Sequence, residues 1–600
     1  MQLTGSLFTN TTALLGNDLR TLPEFPAEIR APQGTVPGVS SFQLQFGSRE
    51  ILTPGDECDA LVVMNSAALK ANLSLLKKGG TIIANTAGFD KKNLNLAKYP
   101  DGVNPLEDGS LNDYEVIEID VTKLVKEALS DMDDLGYKDI DRSKNMFVLG
   151  LLYWMYNRPL ESTIDFLQKK FGEKNPLIAE ANIKVLKAGF FYGETAEIFN
   201  SRVIVEQADL EPGTYRNITG NEALVLGLVA AARKAKMPLF FGSYPITPAS
   251  DVLHGLAQHK KFGITTFQAE DEIAAVASTI GAAFGGNIAV TSSSGPGVAL
   301  KGEAIGLAVM LELPLVVLNV QRAGPSTGMP TKTEQADLMQ AVYGRNGESP
   351  LVVLAPKSPA DCFNMAFEAV RISLEHMIPV MFLSDGYIAN GSEPWKFPQM
   401  SDLKDIEIQF EGPRKGDESE PFMPYRRDER LVRKWAIPGT EGIEHRVGGL
   451  EKEDVTGNVS YDPDNHQKMT NIRRDKRDNV ADNIPLQEID QGSESGDVLV
   501  LGWGGTYGAI RTVVHQLRKE GMDVSHAHLQ YINPFPKNLE KLLNSFGQVI
   551  VPEINDGQLV RLLRSEFMIE AKPVNKVKGR PFGVSELKQA IRDLVGEEVA

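Results

Sequence analysis

The chain has 600 residues, 42% hydrophobic and 24% charged, the balance of an ordinary globular protein long enough for several domains. Its 62 basic against 79 acidic residues leave a formal net charge of −17, which argues against a nucleic-acid surface. Two cysteines, Cys58 and Cys362, cannot hold an iron–sulfur cluster or build a disulfide framework by themselves, and they point to a reducing, cytoplasmic setting. No run reaches the roughly 20 apolar residues of a membrane span. The best, residues 305–320, is broken by Glu312 and Pro314, and the first residues lack the basic and apolar regions of a signal peptide.

Residues 59–86, DALVVMNSAALKANLSLLKKGGTIIANT, read as an apolar strand, a helix, a Gly-Gly stop and a second strand, the pattern of a βαβ unit. EVIEIDVTKLV (115–125) repeats the strand-to-helix switch, and NMFVLGLLYWMYNRP supplies a largely buried helix ended by Pro159. Residues 1–205 therefore form a first α/β domain, which opens on a helix-like segment rather than on a strand and glycine-rich loop. A second α/β domain spans 206–395: Asn221 and Glu222 suit a first helical turn, and most strand-like runs, such as LPLVVLNVQR and PVMFLSDG, are apolar on both faces like central parallel strands. Residues 396–494 are charged and proline-containing, but Phe422, Tyr425, Trp435 and Tyr461 recur among them, so they read as an ordered connecting arm rather than a disordered linker. The third α/β unit, 495–600, runs from a strand at 498–502 through GWGGTYG to a helix stopped by Gly521, with the strand QVIVPE (548–553) further on. The fold class is thus multidomain α/β.

The prolines of GSYPITPASD (242–251) forbid helix and leave a stiff elbow. That elbow either ends a strand or presents the Thr247 hydroxyl to a ligand. Glu270, Asp271 and Glu272 head a helix, where acids are favoured by the dipole. The small-residue run that follows, AAVASTIGAAFGG, also lets something pack closely, and a desolvated carboxylate there would be fit for acid–base work. TSSSGPG (291–297), with Ser294 and Gly295, makes a tight loop whose backbone can approach a ligand, although it is neither a Walker A sequence nor a dinucleotide loop. Arg322 follows a buried strand at the carboxyl edge where open parallel sheets bind ligands; it suits either capture of a carboxylate or a structural ion pair. Lys332 and Arg345 add positive charge near that edge, or are solvated surface. No histidine falls in a metal-ligand pattern, and HAH (526–528) reads as strand surface. GWGGTYG alone is a poor basis for a nicotinamide dehydrogenase, since no acidic residue follows its second strand where one is needed.

In this order, YPITP, EDEIAAVASTIGAAFGG, TSSSGPG and VQRAGPSTGMPTKTEQADL resemble the α subunit of the 2-oxoacid:ferredoxin oxidoreductases, in the form with a γ domain fused at its N-terminus. Within that family the chain is most similar to the members acting on 2-oxoglutarate; pyruvate or a branched-chain 2-oxoacid is the alternative substrate, and a non-catalytic scaffold the alternative of another class. The resemblance covers nearly the whole chain: a Rossmann-like γ domain, a pyrimidine-binding domain for thiamine diphosphate, the arm, and a transketolase-C-terminal-like domain.

The resemblance implies CoA-dependent oxidative decarboxylation of a 2-oxoacid on thiamine diphosphate, with electrons passed to ferredoxin. It implies that Glu272 hydrogen-bonds the cofactor's aminopyrimidine ring. Glu272 is preferred to Glu270 because Gly281 stands nine positions after it. By the same resemblance Pro245, Ser294 and Gly295 lie at the cofactor, Thr247 directs its hydroxyl at the substrate's carboxylate or keto oxygen, Arg322 binds the C1 carboxylate, and Lys332 or Arg345 meets a second acid group. SDG at 384–386 and NDG at 555–557 lack the continuation of a diphosphate–Mg²⁺ motif, so no metal ligand is assigned here. A β subunit is expected to supply the diphosphate and Mg²⁺ site and a 4Fe–4S cluster, in an (αβ)₂ heterotetramer with no membrane or nucleic-acid partner. The first domain departs from the family in lacking its first strand and glycine-rich loop, and no CoA-binding residue is assigned.

Overall fold

In the computed structural model, which describes all residues except 27–30, 33, 197–201, 415–420 and 597–600, the chain folds as two units. One is Met1–Asn217 with Glu393–Phe397; the other is Ile218–Ser392 with Pro398–Ala600. The first opens on helix Gln2–Leu14 and holds a three-stranded parallel sheet ordered Cys58–Val63, Leu76–Asn85, Glu115–Ile119. The Gly79-Gly80 pair lies inside the second of these strands and does not end a helix as the sequence suggested. The strand register slips between Cys58 and Ala60, and a side chain at Gly80 would meet the Lys77 and Asp59 carbonyls at 2.8 and 3.0 Å, so the glycines serve a strand irregularity. Helices Tyr137–Met155 and Pro176–Thr195 pack backbone to backbone: a Cβ at Gly150 or Gly189 would sit 2.0 or 1.9 Å from a facing carbonyl.

The second unit carries two sheets. The larger runs Tyr531–Asn533, Val352–Leu354, Pro379–Asp385, Leu315–Gln321, Ile288–Ser293, Leu239–Ser243, Ile264–Gln268, parallel throughout except for the first pair. The smaller has four parallel strands, Val524–Leu529, Gly496–Trp503, Phe546–Glu553 and Ala571–Asn575, flanked by Ile489–Gln491. Residues of both sheets share one apolar core that includes Val317, Leu383, Leu501, Trp503 and Val551. Gln335 clasps them together: its Nε2 donates to the Trp503 carbonyl at 2.7 Å, its Oε1 accepts from the Ile554 amide at 2.9 Å, and its own amide donates to the Ile554 carbonyl at 2.9 Å. The 495–600 segment thus lends an edge strand to the larger sheet instead of standing apart from it.

The arm is ordered over its described residues. Its charged stretch NIRRDKRDNVADN falls largely in helix Pro463–Asp478, capped by Asp462, which buries Arg473 and Lys476. Trp435 is fully buried and stacked on Phe410, with ring centroids 5.6 Å apart. Among the described residues no helix is long and apolar enough to cross a membrane.

His526 and His528, expected on a surface, are buried in the core of the smaller sheet, because both faces of strand Val524–Leu529 are covered. Both nitrogens of His526 lack a partner, and burial, reinforced by Arg511 and Lys357, pushes its pKa down to about 3; burial and nearby Arg430, Lys476 and Arg371 do the same to His376. A neutral histidine buried this way stabilises the fold fully above its ordinary value near 6.5, and the contribution is lost as pH falls from there toward 3. The denaturant midpoint is therefore expected to drop between pH 7 and pH 5, and this drop should shrink in His526→Leu; an equal drop in both proteins would contradict the assignment.

Candidate active site

Four loops leave the carboxyl ends of four adjacent parallel strands, Leu315–Gln321, Ile288–Ser293, Leu239–Ser243 and Ile264–Gln268, and each carries residues singled out in the sequence. The proline elbow follows the third. It is held from both sides: Asn221 Nδ2 donates to the Pro248 carbonyl at 3.2 Å, and Arg322 Nη1 donates to the Thr247 carbonyl at 2.8 Å. The Ile246 amide donates to Ser250 Oγ at 2.9 Å, and Pro245 and Thr247 stand exposed on the rim.

The three acids separate by environment. Asp271 caps helix Glu272–Phe284, its Oδ1 accepting from the Ala274 amide at 2.7 Å, and Glu270 is exposed. Glu272 alone is buried, at 9% exposure. Its carboxyl lies over Gly297, where a Cβ would meet Glu272 Cγ at 2.9 Å, Glu272 Oε1 at 3.0 Å and Ser293 Oγ at 2.0 Å. The small residues of this helix answer in part to its own fold: a side chain at Gly242 would strike Thr279 Oγ1 at 2.4 Å and the Ala275 carbonyl at 2.7 Å. Ile273, Ala277 and Gly281, one helical stripe, face outward, and a side chain at Gly281 would meet nothing.

The hydroxyl loop turns into the short helix Gly295–Leu300, and its second wall is Asp337. A Cβ at Gly295 would fall 2.6 and 2.7 Å from the Asp337 carboxylate oxygens, so a glycine is required there. Asp337 accepts from Asn319 Nδ2 at 3.0 Å; burial pushes its pKa up to about 6, against the pull of that bond and of Arg322. Around this floor lie buried polar atoms with no partner in the chain: Ser293 Oγ, Ser294 Oγ, Asn319 Oδ1, Arg322 Nε and Gln340 Oε1. Buried polar atoms are seldom left unbonded, so these five are open to bonds from a bound water or ligand. Lys301, just past the loop, is completely buried, and burial pushes its pKa down to about 8 against the nearby charges of Glu272 and Asp271.

Arg322 is buried at the mouth of its strand, next to the elbow it braces. Lys332 lies half-buried where the 322–332 loop closes, its carbonyl accepting from the Ala323 amide at 2.9 Å. Arg345, the other cation named for a second acid group, is engaged elsewhere. Its guanidinium is spent on the carbonyls of Ala341, Val342 and Ser349 at 2.8 to 3.1 Å, ending helix Leu338–Tyr343, and burial pushes its pKa down to about 10. Asp385 of the SDG run is likewise committed, accepting from Thr333 Oγ1 and the Tyr387 and Ile388 amides at 2.9 to 3.0 Å. Among the described residues no group of three or more His, Cys, Asp or Glu is placed to hold a metal ion. Asp337, Lys301, Asn319 and Gln340 were not foreseen as site residues; Asp337 stands in the quoted run TEQADL, but only the fold sets it against Gly295.

The family model described as pyruvate flavodoxin/ferredoxin oxidoreductase, thiamine diphosphate-binding, matches residues 231–461, which contain every one of these loops. Models of pyruvate ferredoxin/flavodoxin oxidoreductase and of its core domain II match 1–192 and 496–587. Over 601 aligned residues the chain is 52% identical to the 2-oxoglutarate oxidoreductase subunit KorA of Mycobacterium tuberculosis, covering 100% of this chain and 90% of that one. The chain belongs to the 2-oxoacid:ferredoxin oxidoreductase family. Family membership extends to a subunit of the Aeropyrum pernix 2-oxoacid:ferredoxin oxidoreductase 1, subunit alpha, 30% identical over 77% of this chain and 72% of that one. A solved 2-oxoglutarate:ferredoxin oxidoreductase of Magnetococcus marinus, with 2-oxoglutarate, coenzyme A and succinyl-CoA bound, superposes with a TM-score of 0.82 at 28% identity, over 98% of this chain and 96% of the other. The multidomain α/β fold with a thiamine-diphosphate-binding domain is that of the family, and its members are oxidoreductases.

Proposed function

We propose that the chain is the α subunit of a 2-oxoglutarate:ferredoxin oxidoreductase, converting 2-oxoglutarate and CoA to succinyl-CoA and CO₂ while two electrons pass to ferredoxin, in either direction. The observation that carries this reading is the burial of Glu272, alone of three neighbouring acids, against a glycine floor ringed by unpartnered polar atoms. That site suits the aminopyrimidine of thiamine diphosphate chemically: Gly297 lets the Glu272 carboxyl lie close on the hydroxyl loop, and the ring nitrogens can satisfy that carboxyl and the unpartnered hydroxyls. When bound, the cofactor supplies a nucleophilic carbon and a place for the electron pair that departing CO₂ leaves behind. Glu272 holds and moves a proton at its carboxyl oxygen toward the ring, Pro245, Ser294 and Gly295 line the cofactor, and Thr247 and Arg322 orient the substrate's carboxylate. Lys332, on the loop after Arg322, is our candidate for the distal carboxylate.

Tyr244 and Met329 on the site loops, Phe267 at the end of its strand and Ile273 and Leu300 on the adjoining helices are exposed. That rim suits a second polypeptide, and we assign to a β subunit the diphosphate and Mg²⁺ site and the 4Fe–4S cluster, within an (αβ)₂ assembly in the cytoplasm. Assay of the co-expressed complex with 2-oxoglutarate, pyruvate and branched-chain 2-oxoacids, CoA and a viologen acceptor tests the substrate. The expected result is reduction that depends on 2-oxoglutarate, with Arg322→Met raising KM about ten- to a hundredfold through loss of a charge-assisted pair. A complex that uses pyruvate and ignores 2-oxoglutarate overturns the assignment.

A further inference from the structure

The loop that runs from Arg322 to Lys332 is closed on itself by its backbone. The Ala323 amide donates to the Lys332 carbonyl at 2.9 Å, and the Met329 amide to the Ala323 carbonyl at 3.0 Å. Two residues past Lys332 stands Glu334, 5% exposed. Its carboxyl group accepts from two backbone amides: Gly324, at the start of the loop, and Gly579, in the turn between strand Ala571–Asn575 and helix Val584–Gly596. That turn packs on the far end of the loop. Gly579 has a φ of +63°, and a Cβ there would meet Lys332 Cβ and Met329 Cε at 2.9 Å each. A carboxyl group is costly to bury, and an apolar side chain would fill the place at less cost; the two amides offset part of that cost. The Arg322 end has its own support, since Arg322 Nη1 donates to the Thr247 carbonyl and Gln321 Nε2 to the Ser384 carbonyl at 3.1 Å.

We propose that Glu334 is a positioning residue for Lys332, and that it sets the spacing of Arg322 and Lys332 which distinguishes a dicarboxylic 2-oxoacid from a monocarboxylic one. The inference rests on the substrate reading given above for those two cations. One carboxyl group ties the start of the loop and the Gly579 turn together, and the turn walls in the stem of Lys332. A lysine free to sample its rotamers loses that freedom when it binds a carboxylate, and a stem already confined loses less. Without Glu334 the turn is no longer tied to the loop, and the Lys332 ammonium is spread over more positions. Arg322, braced by the elbow, keeps its place.

The test uses the co-expressed α/β complex at a single pH with 2-oxoglutarate and with 2-oxopentanoate, which has the same carbon chain but a methyl group in place of the distal carboxylate. 2-Oxopentanoate is read as a substrate or, where it is not turned over, as a competitor of 2-oxoglutarate. The quantity followed is the preference, the ratio of kcat/KM for the two acids or of Ki to KM; a merely structural loss weakens both acids alike and leaves it unmoved. Glu334→Gln keeps the shape but turns an NH₂ group toward one of the amides, and it is expected to lower the preference about 5- to 50-fold. Gly579→Ala leaves the carboxyl in place and drives a methyl group into the Lys332 stem. It should shift the preference in the same direction, and it decides the matter where Glu334→Gln does not fold. Lys332→Met is the reference and should lower the preference about ten- to a hundredfold. A parent-like preference in Glu334→Gln, with the preference lost in Lys332→Met, overturns the role of Glu334 and leaves the substrate reading standing. A parent-like preference in Lys332→Met overturns the assignment of Lys332, and the inference with it. A parent complex that does not favour 2-oxoglutarate overturns the substrate reading itself.

Discussion

Glu272→Gln should lower turnover of the 2-oxoacid by about 10²- to 10⁴-fold, the range that one positioned acid–base group contributes. Glutamine keeps the size of the side chain and can still bond a ring nitrogen, but it cannot take or return a proton. The neighbours define the control. Glu270 shares the stretch and the charge, yet it is exposed, so Glu270→Gln should retain parent-like turnover. Steady-state reduction of a viologen acceptor by the complex, with far-ultraviolet circular dichroism to check the fold, separates the two. Equal losses in both variants would mean that negative charge at the head of the helix matters and the buried carboxyl does not. Turnover by Glu272→Gln at the parent rate would remove Glu272 from the mechanism.

Glu312→Gln is expected to destabilise the second unit by about 3–5 kcal/mol, the cost of stripping one partner from a buried ion cluster. Glu312 follows helix Gly302–Leu311 in a left-handed conformation, φ 50°, and is 2% exposed. Lys476 Nζ donates to its Oε2 at 2.5 Å, and Arg427 donates to its Oε1; both cations come from the arm. Burial opposes the charge, but Lys476 and Arg427 hold the carboxyl well below the usual carboxylate range. A group depressed this way contributes fully above its unfolded value near 4.5, and the contribution is lost on acidification below that. Glutamine keeps the backbone strain unchanged, leaves the buried Lys476 without its anion and leaves Arg427 with Asp454 alone, so the loss measured is electrostatic. Denaturant unfolding followed by tryptophan fluorescence reports it, since Trp435 and Trp503 are buried in this unit. Adding Lys476→Met to Glu312→Gln should recover part of the stability, because it removes one of the stranded charges. A fully additive double variant, or a single variant as stable as the parent, would show that the arm is not anchored through this cluster.

Glu312 also marks the line between what could be read from residue order and what could not. In the sequence it interrupts an apolar run and, with Pro314, argues against a membrane span, and that needs only the local pattern. Its partners lie 115 and 164 residues away, and nothing in the spacing announces them. The same division runs through the site. Alternation of apolar strands and helices, the proline elbow and the hydroxyl loop were all legible, because each depends on the order and spacing of neighbouring residues or on motifs in series. The fate of single polar side chains was not. Arg345 looked like a free cation until the turn after residue 343 folded its guanidinium onto three carbonyls, and the HAH strand looked like surface until a second layer covered both faces. Lys301 and Asp337 gained their importance only when parallel pairing set four strand ends side by side, bringing residues 272, 295, 297, 301, 322 and 337 around one floor. Local sequence determines which conformation a segment takes and which face it must bury; desolvation and long-range charge depend on what the rest of the chain brings against that face, and those terms exist only once the sheet is assembled.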